Sequence, residues 1–246
     1  MRISNSIAIN NNPTAALGGG WTNQYALQTD GVDETVSTTN FVALQGVTNF
    51  TVSGWVKQNT NTGFGLFERF ISSTDATWPV YYDGTKIQIL LYNGSASKGE
   101  FAFTWTLDTW INVVVAYDGA GATNADKVKL WINGSAKTLT FTGTIQGTTK
   151  NVAGSYNIIS DNIFLDGVSD ELAVFDYTVT HDQAVSIYNA GVAPDLLNTS
   201  GLTAPIHLYR WTEADTHATV NDEGTTGSND GTGVNTDIGD KITDTP

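Results

Sequence analysis

The sequence predicts an all-β, antiparallel protein, and three observations carry that prediction. Apolar and polar residues alternate with a period of two: Phe50, Val52, Gly54 and Val56 fall on one face of a run, and Thr51, Ser53, Trp55 and Lys57 on the other. Between such runs stand Asp83-Gly84, Asn93-Gly94, Asp118-Gly119 and Asn133-Gly134. Each of these pairs supplies the positive backbone torsions that a tight hairpin turn needs. The composition agrees, since 7 Trp, 9 Tyr and 10 Phe provide an aromatic core while charged residues make up only 15% of the 246 positions. A helical bundle would need far more charge on its solvent faces.

Along the chain, residues 1–20, ending in Gly18-Gly19-Gly20, read as a flexible or docking arm. An acidic turn, Asp30-Gly31-Val32-Asp33-Glu34, follows the first strand, and a near copy, Asp166-Gly167-Val168-Ser169-Asp170-Glu171, opens a late one. Trp110 to Tyr117 is almost continuously apolar, as expected for a strand covered on both faces. Val128, Leu130 and Ile132 alternate with Lys127, Lys129 and Trp131 in a further strand. One helix is predicted. Thr180 with Gln183 forms a capping box, Ala184, Ile187 and Tyr188 make a helical stripe, and Gly191 is placed to end it before Pro194. Strand patterning returns at Ile206, Leu208, Tyr209 and Trp211, after which Thr212 to Pro246 is rich in Asp, Gly, Thr and Asn and reads as loop.

Several function classes are disfavoured at this point. A formal net charge of −14 with 11 basic residues argues against a nucleic-acid partner, because phosphates are neutralised by Lys and Arg. The absence of cysteine excludes disulfide scaffolds, zinc ribbons and thiol catalysis. No stretch reaches the roughly 18 apolar residues of a membrane helix, and Met1 to Asn12 has no apolar run of signal-peptide length.

Three segments resemble the laminin-G-like domains of the concanavalin A-like lectin/glucanase superfamily. Leu27 to Val36 with Phe50 to Val56 is similar to that family's opening strands. Asp108 to Val114 with Val128 to Gly134 resembles its central strand and hairpin, with Asn112 where a His is usual, and Phe164 to Phe175 with the helix ending at Asn189 resembles its closing strand. The resemblance implies a two-sheet antiparallel jelly roll with one short helix, spanning residues 21–211, onto which the acidic segment 212–246 packs back. Tyr209 to Glu213, Asn221 to Gly224 and Ser228 to Thr232 are similar to a segment that usually precedes the first strand. That order resembles a circular permutation, or the start of a second, truncated repeat, and is similar to lectin-like proteins of marine tailed bacteriophages.

Three site chemistries follow. Calcium takes oxygen ligands, six to eight of them, at about 2.3–2.6 Å. The resemblance places a cation by the closing strand, with Asp170 as the main ligand and Asp30 and Asp222 contributing. Asp-Gly turns that bond their own backbone are the plainer reading of the same residues. The single histidines 181, 207 and 217 disfavour a transition metal. Glycoside hydrolysis needs two carboxylates flanking one bond, and the Glu-x-Asp-x-Glu spacing of the family's glucanases is absent. Sugar binding needs aromatic faces flanked by polar groups. Trp78-Pro79-Val80-Tyr81-Tyr82 supplies them, with Trp78, Tyr81 and Tyr82 as the expected contacts and Trp105 and Trp131 also suited; packing in a sandwich core is the plainer reading of any one of these rings. Trp55 and Trp110 are assigned to the core.

The sequence-level expectation is therefore a non-enzymatic protein of a bacteriophage virion surface, a capsid decoration or tail appendage. Its partners would be other virion proteins, copies of itself or cell-surface polysaccharide, with neither nucleic acid nor membrane insertion. An extracellular bacterial carbohydrate-binding module is the alternative, and a polysaccharide-cleaving enzyme a weaker one.

Overall fold

The computed structural model describes residues 22–39, 41–151, 154–159, 163–216, 218–226, 229–237 and 239–246. The predicted arm, 1–20, lies outside them. In chain order the strands are β1 (Ala26–Asp30), β2 (Thr35–Thr38), β3 (Asn49–Gln58), β4 (Phe64–Ser72), β5 (Asp75–Tyr82) and β6 (Lys86–Asn93). Then follow β7 (Lys98–Ala102), β8 (Ile111–Asp118), β9 (Val128–Ile132), β10 (Ser135–Lys137), β11 (Thr140–Thr142) and β12 (Tyr156–Ile159). The last are β13 (Asp166–Phe175), β14 (His207–Tyr209), β15 (Thr219–Val220), β16 (Gly231–Val234) and β17 (Lys241–Ile242). A one-turn helix, α1 (Asn124–Lys127), precedes β9, and α2 (His181–Tyr188) follows β13.

These strands form two sheets. The first runs β10-β9-β8-β3-β13-β1-β17, with β14 also paired to β13, and the second runs β11-β7-β6-β5-β4-β12-β2-β16-β15. The ladders are antiparallel. Phe50, Val52, Val56, Ile111, Val113 and Val115 of the first sheet meet Phe64, Leu66, Val80, Tyr82, Ile87 and Ile89 of the second in one buried cluster. Each such side chain contributes about 1.5–3 kcal/mol by leaving water, which is why the two inner faces stay together. Two antiparallel sheets with a short helix make the predicted sandwich.

The apolar run of β8 is covered on both faces, as its sequence required. Ile111, Val113 and Val115 face the second sheet, while Val114 and Ala116 join a second cluster with Trp131, Phe175, Ala184, Ile187 and Leu196. That cluster seats α2 on the outer face of the first sheet. The helix starts on the expected capping box, with Thr180 and Gln183 bonded reciprocally. It ends two residues earlier than expected, at Asn189, whose left-handed backbone (φ 45°) serves the cap that Gly191 was expected to supply. Three of the four predicted turns form with positive φ, at Gly84, Gly94, Asn133 and Gly134, whereas Gly119 lacks positive φ and Asp118-Gly119 opens a longer connection through α1 to β9. Trp110 departs from its core assignment. It is half-buried at the margin, its Nε1–H donates to Asp244, and the Lys57 ammonium sits 5.5 Å from the ring centre.

Segment 212–246, read as loop, instead supplies edge strands to both sheets. β16 pairs with β2 (Gly233 opposite Val36), and β17 pairs with β1 (Ala26 opposite Ile242). Nothing in its Gly- and Thr-rich pattern announces a strand, because the stabilisation is backbone pairing to existing edges rather than burial of its own side chains. Close approach selects glycine here: a β-carbon on Gly231 would meet Val36 at 2.6 Å.

Candidate functional site

On the second sheet, the face turned away from the core carries an aromatic and polar surface built by one irregularity. In an unbroken strand Trp78 and Tyr81, three positions apart, would point to opposite faces. The β5–β6 register shifts between them. Such a bulge adds one residue to the strand and returns both side chains to the same side. Pro79, which has no N–H to give to a ladder, occupies the irregular stretch. The two rings stack with centroids 4.4 Å apart and planes 23° from parallel. Trp78 is 5% exposed and yet belongs to neither core cluster. It lies across Gly65 of β4, where a β-carbon would meet the indole at 2.4 Å. Its Nε1–H meets no acceptor among the described residues. Tyr81 is half-buried, and burial, reinforced by the nearby Asp83, raises its phenol pKa.

Register places polar groups beside this stack. Tyr81 stands opposite Gln88 of β6, which stands opposite Glu100 of β7, while Trp78 stands opposite Leu90. Gln88 donates through Nε2 to Asp83 (2.7 Å) and accepts from Lys98 through Oε1 (2.9 Å). Glu100 receives both Lys86 (2.6 Å) and Lys98 (2.9 Å). The bond from Lys86 is the main reason the Glu100 carboxyl is held below the usual range, against a smaller opposing effect of burial. A carboxylate so held is a poor proton donor, which argues against a general-acid role for Glu100. Asp83 is itself fixed by Thr85 and the Lys86 N–H. Further along the strands, Phe70 and Tyr92 flank Ala76 and meet edge-to-face at 6.5 Å. Ala76 is two residues from Trp78, about 7 Å along the strand. The face therefore presents a strip of rings with a hydrogen-bonding border.

The structure separates the three aromatic residues expected to act together. Trp78 and Tyr81 share this face, but Tyr82 points into the core, packs 5.4 Å from Trp105, and donates its hydroxyl to Asn61 at 2.7 Å. Its expected role as a sugar contact is corrected on that ground, since strand alternation turns it away from Tyr81. Trp105 is buried edge-on against Phe64, and Trp131 lies beneath α2 with its Nε1–H donated to His181.

The three acids expected at one cation site are also separated. Asp30 has carboxylate oxygens within 4.8 Å of Asp33 and Glu34, a group that excludes Asp170 and Asp222. Asp170 is fully buried. It accepts Asn23 Nδ2 at 2.7 Å and the Glu171 N–H at 2.8 Å, and burial pushes its carboxyl up to about 7. Asp222 accepts His207 Nδ1 at 2.6 Å together with the backbone N–H groups of Leu208, Gly224 and Asn229. Burial raises its carboxyl, but these bonds outweigh it and the net direction is down. Asp170 and Asp222 are thus held by protein donors, so the structure does not bring Asp30, Asp170 and Asp222 to one site, and Asp30 groups instead with Asp33 and Glu34. That turn offers the hard oxygen donors calcium prefers. Burial, then the bond to Asp30, raises Glu34.

Beside Asp170, Glu171 adopts positive φ (49°) at a second bulge and faces Arg210, which also contacts Asp195 and Glu223. This buried cluster joins β13 to the C-terminal segment and is structural in character.

Residues 30–184 match the model of a laminin-G-like family described as the Concanavalin A-like lectin/glucanases superfamily. The chain belongs to that superfamily. A search of curated proteins finds no match. Among solved structures, a heptameric SAP-like pentraxin from Limulus polyphemus is similar with a TM-score of 0.53 at 15% identity, over 85% of this chain and 95% of that one. A putative carbohydrate-binding protein from Bacteroides ovatus ATCC 8483 gives 0.54 at 14% identity, over 85% of this chain and 58% of that one. At these identities the likeness is one of fold. Within this lectin/glucanase-type sandwich, sequence reading missed Gly65, Gln88, Lys98 and Glu100, whose importance depends on cross-strand register. The usable signal was Pro79 inside a strand, which marks a bulge.

Proposed function

We propose that this protein is a non-enzymatic carbohydrate-binding module whose ligand lies on the outer face of the second sheet, over the Trp78–Tyr81 stack. The observation that carries the reading is that stack, placed by register against the Gln88–Lys98–Glu100 network. A pyranose presents an apolar face to a ring and a rim of hydroxyls to amide, ammonium and carboxylate groups, and this surface supplies both in one row. Rings are prefixed by the sheet, so little side-chain entropy is lost on binding. The fold shared with a putative carbohydrate-binding protein is consistent with it.

Glycan-array screening of the full chain followed by calorimetry on the best ligand tests the reading. Tyr81→Ala is expected to weaken binding by at least about tenfold, roughly 1.4 kcal/mol, while amide spectra show the fold retained. Full affinity in Tyr81→Ala, or release of oligosaccharide from any bound polysaccharide, overturns it.

We further propose a virion-surface setting, in which the module attaches to other virion proteins or to copies of itself. The support is the order of Tyr209 to Thr232, which resembles that of lectin-like phage proteins, together with the acidic charge. Mass spectrometry of purified particles tests it. A calcium ion on the turn is supported by the convergence of Asp30, Asp33 and Glu34.

A further inference from the structure

Cross-strand register sets successive rows of side chains on the outer face of the second sheet. One row holds Phe70, Ala76 and Tyr92, and the next holds Trp78, Leu90, Lys98 and Thr142. A third holds Tyr81, Gln88, Glu100 and Thr140. Phe70 and Tyr92 belong to neither core cluster, and Phe70 is 46% exposed. Ala76 stands between them, and its small side chain leaves room for the two rings to meet edge to face at 6.5 Å. A ring braced in this way has little rotamer freedom left to lose on binding.

Spacing decides what could use both aromatic ends. Five positions separate Ala76 from Tyr81 along β5, and the bulge absorbs one of them, so these two rows lie about 13 Å apart. One sugar ring covers one aromatic side chain and cannot reach from Tyr81 to the Phe70–Tyr92 pair. A chain of sugars can. Its path is bordered by polar groups, Lys98 and the exposed Thr142 in the middle row, Glu100 and the exposed Thr140 in the third. Such a border meets hydroxyls, which an apolar peptide lacks.

The border carries no surplus of positive charge. Lys86 and Lys98 share Glu100, and Asp83 is bonded to Gln88 beside them, so two ammonium groups stand against two carboxylates. Tyr81 also lies in the field of Glu68. On a chain of net charge −14, a uronate or sulfate would approach against the overall field, with both nearby ammonium groups already committed to Glu100.

We propose that this face takes an internal stretch of a neutral polysaccharide, one part of it on Tyr81 and a part further along the chain on the Phe70–Tyr92 pair. The proposal rests on the reading of the face as a glycan site and adds to it a second subsite, a minimum ligand length and a charge class.

The test titrates cello-, laminari- and malto-oligosaccharides of two to six units, and oligogalacturonates of the same lengths, into the full chain by calorimetry. In a neutral series that binds, the hexamer is expected to bind at least about tenfold more tightly than the dimer, and to shift the Tyr92 ring signals in NMR. Phe70→Ala and, independently, Tyr92→Ala are expected to cut that ratio to roughly threefold or less, whereas Tyr81→Ala weakens every length. The galacturonate hexamer is expected to bind at least about tenfold more weakly than the neutral one. Equal affinity for dimer and hexamer, in a series that depends on Tyr81, overturns the second subsite alone. Galacturonate binding as tight as the neutral hexamer overturns the charge class. No binding in any series, or binding indifferent to Tyr81, overturns the underlying reading and this one with it. Self-association that Phe70→Ala abolishes, without length dependence, assigns the pair to a contact between copies and overturns the subsite. Amide spectra of each variant separate loss of binding from loss of structure.

Discussion

The indole of Trp78 lies so close over Gly65 that a β-carbon there would stand 2.4 Å from it. Two strands thus specify one ring: β4 must lack a side chain where β5 lays its tryptophan down. Gly65→Val is expected to lift Trp78 and disturb its stack with Tyr81. Overpacking of this kind costs about 1–3 kcal/mol. Thermal denaturation should register that loss, and calorimetry should show weakened glycan binding as well. Retention of full stability and affinity would show that the contact positions nothing.

The acid–base behaviour of the buried cluster can be read directly. Burial pushes Asp170 up to about 7 and raises Glu171, above the values of about 3.9 and 4.3 usual in an unfolded chain. Between about pH 4 and pH 7 the folded state therefore holds more protons than the unfolded state, and stability from these groups falls as pH rises through that window. Urea unfolding across pH 4–7 should show the slope, and Asp170→Asn should flatten it whatever its effect on the overall level. A wild-type slope that the substitution leaves untouched would contradict the assignment.

Removing residues 212–246 strips β15, β16 and β17 and bares the edges of β1 and β2. It also removes Glu223 from the Arg210 cluster and Asp222 from His207. Open edges pair with other chains. The shortened protein is expected to melt earlier and to associate, as read by calorimetry and light scattering. An unchanged melting temperature in a monomer would mean that the segment merely decorates the sandwich.

Calcium should raise the melting temperature if it occupies the Asp30, Asp33 and Glu34 turn, because a ligand selective for the folded state stabilises it. Asp33→Asn, at an exposed position, should remove the calcium increment without lowering the metal-free value. Identical melting curves with calcium and with chelator would exclude the ion.

Fold and site were legible to different depths. Alternation in Phe50 to Gln58, the doubly apolar Trp110 to Tyr117 run, the Asp83-Gly84, Asn93-Gly94 and Asn133-Gly134 turns and the Thr180 capping box are local signals, and each settled its element. They are local because side-chain period, turn torsion and capping depend on residues within a few positions. Trp78 and Tyr81 could be nominated from composition, yet Tyr82 could not be told from Tyr81 without knowing where β5 bulges. The likeness of two acidic turns suggested one shared site, whereas β13 spreads Asp166 and Asp170 along its length, and only Asp170 enters the buried cluster.

The sequence by itself determined an antiparallel sandwich, its helix, its lack of nucleic-acid-binding charge and its stock of exposed-capable aromatics. Tertiary structure alone decided that the polar tail joins both sheets and that Gln88, Lys98 and Glu100 line up beside Tyr81. It also decided that Asp170 and Glu171 meet Arg210 in one buried cluster. The physical reason is common to all three: cross-strand register and edge pairing are long-range relations, fixed by how whole strands meet rather than by the residues adjacent in sequence.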